Sequence, residues 1–118
     1  MVAKNLETPL SEKLKREILA AWKEGHGGSS EQVYLTKGED GMVLLIPKAL
    51  YQAELDLNRT ATGGSRVLYQ YLRTLLYNVA SEFIPLIEEI IEKEIEDVTP
   101  LVDLKAGWAI IFYHTKKI

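Results

Sequence analysis

The sequence predicts an α+β protein of two layers, a four-stranded, mainly antiparallel sheet with helices on one face, in the order α-β-β-α-α-β-β. Two observations carry this. Residues 65–93 place Leu68, Leu72, Leu75, Leu76, Val79, Phe83, Leu86, Ile87, Ile90 and Ile91 at steps of three and four, the spacing of one buried helical face. Four short apolar or alternating runs fall into two pairs, each joined by a turn signal and set on either side of that helical stretch.

Residues 1–7 are polar and charged and are expected to be loose. Thr8-Pro9-Leu10-Ser11-Glu12 has a capping residue followed by a proline in the first turn, which starts a helix. Leu14, Ile18, Ala21 and Trp22 form its apolar face, and Gly25 is placed to end it. Gly25-His26-Gly27-Gly28-Ser29-Ser30 then reads as a connector. Residues 32–37 alternate around Val33 and Leu35 and predict a strand, Gly38-Glu39-Asp40-Gly41 a hairpin turn, and residues 42–46 a second strand ended by Pro47.

Residues 48–58 suit a short helix with Leu50, Ala53, Leu57 and Tyr51 facing inward. The long helical stretch follows, with Thr62 or Ser65 as its cap. Pro85 lacks a backbone donor and clashes one turn back, so the spacing predicts either a kinked helix or two closely joined ones. Ile95–Asp103 predicts a third strand, in which Pro100 implies an edge or a bulge. Lys105-Ala106-Gly107 turns the chain into a fourth strand at 108–114.

The 118 residues fit one domain, 1–118. With 47% hydrophobic and 26% charged residues the composition is that of a globular protein, and the net charge of −3 speaks against a nucleic-acid partner. The chain has no cysteine, which excludes disulfides, thiol catalysis and thiolate metal sites and points to the cytoplasm. No signal-peptide pattern and no span-length apolar run is present, so direct membrane insertion is not expected.

The second and fourth strands are apolar at nearly every position, a pattern of strands covered on both faces. One layer of helices covers one face. A second subunit is a natural cover for the other, so the sequence predicts a homo-oligomer, with a dimer favoured.

Chemistry is sparse. Thr62-Gly63-Gly64-Ser65-Arg66 offers backbone N–H groups and an arginine at a helix start, an arrangement that holds anions, but it also reads as an ordinary turn and cap. His26, Arg59, Thr60, Thr62, Gly63, Gly64, Ser65 and Arg66 are therefore the candidate ligand-binding residues of a small-anion sensor. Glu88 and Glu92 share a helical face, yet the segment lacks the histidine that a dinuclear carboxylate site needs. Glu54 and Asp56 are two apart and diverge on a helix. His26 and His114 are the only histidines, and no nucleophile can be placed beside either. Tyr51, Tyr69, Tyr71, Tyr77 and Tyr113 suit a core or a subunit contact. The residues imply no cofactor and no metal, and no catalytic set.

Gly25-His26-Gly27-Gly28, the spaced set Leu50, Glu54, Leu57, Thr60 and Gly63, the helix-interrupting Pro85 and the late Asp103 together resemble the MpsC-like family. These are small prokaryotic proteins described as component C of a sodium-translocating, membrane-potential-generating system. Their pattern is a Gly-Arg-Gly-Pro loop, then Leu-x3-Glu-x2-Leu-x2-Thr-x2-Gly. His26 and Gly28 stand where the family has Arg and Pro, a departure in the loop. The resemblance spans residues 11–113. It implies a cytoplasmic accessory or regulatory protein of cation-coupled transport or inorganic-carbon uptake, with a membrane-system partner and no assigned reaction.

Overall fold

The computed structural model describes residues 6–28, 30–60 and 64–116. Its elements run α1 (Pro9–Gly25), β1 (Tyr34–Lys37), β2 (Gly41–Ile46), α2 (Gln52–Thr60), α3 (Gly64–Glu82), α4 (Ile84–Ile91), β3 (Ile95–Asp103) and β4 (Trp108–Thr115). Every strand pairing is antiparallel, and the sheet order is β1-β2-β4-β3. The α+β class and the four-stranded antiparallel sheet are those the sequence predicts.

The helices end where their residues dictate. Thr8 caps α1, its hydroxyl accepting the Ser11 N–H at 3.2 Å, and Pro9 occupies the first turn. The long apolar stretch splits into α3 and α4 at Phe83, whose N–H reaches back only to Ala80 O at 3.2 Å. Pro85 sits in the first turn of α4, where its missing donor is harmless. Within the segment expected to be loose, Leu6 is held: its N–H donates to Leu35 O at 2.7 Å, and its carbonyl takes the Lys15 ammonium.

Helices α1, α3 and α4 touch one another and the same side of the sheet, and α2 packs on α3. The core lies between the layers. Rows of side chains cross the sheet on its inner face: Leu35, Leu44, Ile111 and Pro100 in one, Met42, Tyr113 and Val98 in the next, then Ile46, Ala109 and Val102. Leu14, Ile18 and Trp22 of α1 and Leu72 and Leu76 of α3 close over them, all fully buried. The Tyr113 hydroxyl donates to Ala80 O at 2.8 Å and so ties β4 to the end of α3.

Three local expectations are corrected. The first strand begins at Tyr34, paired with Leu45, rather than at residue 32, whose carbonyl accepts the Ser30 hydroxyl at 3.2 Å. The helix expected at 48–58 is α2, displaced to Gln52–Thr60. Pro47 and Lys48 form a turn with Lys48 at φ 52°, and the Ala49 N–H is bound to Gly107 O at 2.8 Å. The inward face of α2 is also different. Tyr51, Ala53 and Leu57 are exposed, whereas Glu54 and Leu55 turn inward and Leu55 lies beside Gly107.

Pro100 lies in β3, an edge strand, with a bulge between Ile95 and Asp97. Asp103 closes the β3–β4 turn, its Oδ1 accepting the N–H groups of Lys105 at 2.9 Å and Ala106 at 3.0 Å. Among the described residues no helix is long and apolar enough to cross a membrane.

Candidate functional site

The residues that meet most tightly lie where the end of α1 faces the start of α2. Trp22 ends the apolar face of α1, and its indole N–H donates to Ala49 O at 2.9 Å. One turn later, His26 stacks on the indole with ring centroids 4.4 Å apart. Tyr51 covers the other imidazole face at 5.1 Å, and its hydroxyl donates to Gly27 O. The imidazole is thus held between two aromatic rings, with 3% of its side chain exposed.

Glu54 completes the arrangement. It lies three residues beyond Tyr51, the residue before α2, and its Oε1 accepts the Tyr51 N–H at 2.8 Å, as a capping glutamate does. Both carboxylate oxygens lie 3.0 Å from His26 Nε2. An ionised carboxylate only accepts, so the network assigns the hydrogen to Nε2. The other ring nitrogen, Nδ1, is buried with no hydrogen-bond partner among the described residues.

Gly28 explains why the loop closes so near. A Cβ there would lie 2.5 Å from Ala49 O, 2.9 Å from Trp22 Nε1 and 3.0 Å from His26 Nδ1. The connector is therefore a close-packed junction, with Ser30 bonded to Pro47 O on its far side. Such a set fixes α1, α2 and the β3–β4 turn to one another. It offers little to a reactant, because the imidazole edge is enclosed.

The remaining candidate residues are spread. Arg59 is in the last turn of α2, 70% exposed, and pairs with Asp56. That contact, after the Gln52 amide, holds the Asp56 carboxyl below its ordinary pKa. Arg66 is exposed in the first turns of α3. Thr62 and Gly63 lie outside the described residues, as do the side chains of Thr60 and Ser65; Gly64 opens α3. The structure brings His26 to a carboxylate, and an anion placed there would meet the charge of Glu54.

Of the other polar candidates, Glu88 is engaged with the start of β3, accepting the Ile95 N–H at 2.8 Å, while Glu92 ends α4 at φ 57°. His114 Nε2 lies 3.1 Å from Thr99 Oγ1. Among the described residues, no group of three or more His, Asp and Glu side chains is arranged to hold a metal ion. Tyr71 and Tyr77 are exposed on α3, Tyr69 is half-buried, and Tyr113 is in the core.

Sequence reasoning did not pair His26 with Glu54. His26 lies in the glycine loop and Glu54 at the start of α2, 28 residues apart.

The second surface of note is the outer face of the sheet. Tyr34, Leu45, Ile110 and Leu101 form one row across all four strands, and Thr36, Val43, Phe112 and Thr99 form the next. Tyr34 and Leu101 are each 36% exposed, and Val43, Leu45, Ile110 and Phe112 are half-buried by their neighbours in the sheet.

Compared with known proteins, the chain matches no family model, no curated protein and no solved structure.

Proposed function

We propose that this protein is a non-enzymatic accessory or regulatory component of a cation-coupled transport or inorganic-carbon uptake system, acting in the cytoplasm as a homo-oligomer, with a dimer favoured. The observation that carries the reading is the one-sided cover of the sheet. The helices protect one face, while the other presents apolar rows on β2 and β4. Apolar sheet faces of this extent are sites of contact.

Two further features support a role by contact rather than by reaction. His26 is enclosed by Trp22, Tyr51 and Glu54, so the best-placed titratable group is a structural one. The resemblance in the glycine loop and the spaced segment supplies the transport setting, and the net charge of −3 argues against a nucleic-acid partner.

The test is co-purification. Two differently tagged copies are expressed together, and one tag is captured. Recovery of the second copy at about half the amount of the captured one, the statistical share of a mixed dimer, is the expected result. Recovery of the captured copy alone, at protein concentrations of about 10 μM where an interface of ordinary size is occupied, overturns the reading.

A further inference from the structure

We infer that the second copy seats on the outer face of the sheet, face to face, so that two sheets form the centre of a four-layer α/β/β/α dimer. This rests on the oligomeric reading above and assigns its surface.

The face is neutral at its centre. Across the two central rows every side chain is apolar or a hydroxyl, and the acidic side chains at this face, Asp97 and Asp103, stand only at its two ends. A neutral centre with charge confined to the rim is the anatomy of a protein interface. Acidic rims disfavour an anionic lipid surface, which recruits lysine and arginine.

The area is of the right order. Four strands at about 4.8 Å spacing and about seven residues at about 3.4 Å per residue give a plan area of roughly 450 Å². Side-chain relief enlarges this toward the ~600–800 Å² per partner that a specific interface buries. Two such faces interdigitate at about 10 Å separation, as the sheets of a sandwich do. A flat apolar row packed on its own symmetry mate needs no complementary charge, which suits an isologous contact between two acidic chains.

The edges of the sheet are closed to the alternative. The β1 edge is short, with Leu6 N–H already on Leu35 O. The β3 edge carries Pro100 and a bulge. Both features obstruct strand-to-strand addition, so assembly through this sheet uses its face rather than its edges.

The experiment compares the mass of the wild-type chain with three variants by light scattering, with circular dichroism as the check on folding. Ile110→Lys places a charge at the centre of the face, and Leu45→Thr/Ile110→Thr keeps strand-forming residues without a charge. Tyr71→Glu, on the exposed face of α3, is the control. Ile110→Lys is expected to be a folded monomer, and Tyr71→Glu to retain the wild-type mass. The double threonine variant is expected to dissociate at least about ten-fold more readily, since it trims two central residues on each partner.

If Ile110→Lys fails to fold, the threonine variant decides. An oligomer that survives the face substitutions overturns this surface and leaves the oligomeric reading intact. A wild-type monomer overturns both. Conversion to monomer by Tyr71→Glu alone moves the interface to α3 and also overturns the assignment.

Discussion

His26 Nε2 lies 3.0 Å from both oxygens of Glu54, across 28 residues of sequence, with the imidazole stacked between Trp22 and Tyr51. The contact joins the last turn of α1 to the first turn of α2. It gives the glycine loop a structural purpose, because only a residue without a side chain at position 28 lets the ring approach Ala49 and Trp22.

His26→Ala removes a ring that is almost fully enclosed, and leaves the Glu54 carboxylate with the Tyr51 N–H alone. The expected loss is about 2–4 kcal/mol, from an unfilled space and a broken buried pair. At roughly 3–6 °C per kcal/mol for a chain of this length, thermal unfolding by circular dichroism should shift down by about 6–24 °C. A shift of under about 2 °C would show that the junction contributes nothing to stability.

Gly28→Ala and Gly25→Ala form a matched pair. At Gly28 the new methyl meets a backbone carbonyl at 2.5 Å, which forces the junction apart and should cost about 2 kcal/mol or more. At Gly25, the last residue of α1, a Cβ meets nothing within 4 Å, and alanine is the better helix former by up to about 1 kcal/mol. Denaturant midpoints should therefore move in opposite directions. Equal movement in both would contradict the packing described for the loop.

Tyr113 should ionise last. Burial pushes its hydroxyl well above the ordinary tyrosine range, and the group donates to Ala80 O. The folded state keeps its proton where the unfolded state gives it up, so this residue's contribution is full below about pH 10 and declines as pH rises beyond that. Absorbance titration near 295 nm should show a final tyrosine step that coincides with loss of the circular dichroism signal. In Tyr113→Phe that step disappears, and about 0.5–1.5 kcal/mol of stability is lost at neutral pH with the buried hydroxyl's hydrogen bond, the Ala80 carbonyl keeping only the Phe83 N–H. A final step unchanged by the substitution would refute the assignment.

Local signals explain what the sequence revealed. Threonine then proline marks the start of α1, Pro85 within an apolar helical rhythm marks a kink or a break, and Pro100 marks β3 as an edge strand or a bulged one. What the sequence hid was decided by distant partners. Residues 48–50 have helix-compatible side chains, yet Ala49 accepts from Trp22 and donates to Gly107, so the helix begins only at Gln52. Glu54 faces inward against its polarity because His26 is there to meet it, and no periodicity in residues 48–58 contains that fact. Apolar residues at nearly every position of 42–46 were legible; a cover for the outer half of them is what the proposed dimer supplies.

That cover is the central claim, and the mass of the particle in solution tests it most directly. Light scattering on the wild-type chain at about 10 μM should give twice the 13.3 kDa of one chain. A single species at 13.3 kDa, unchanged on raising the concentration about ten-fold, would contradict the account.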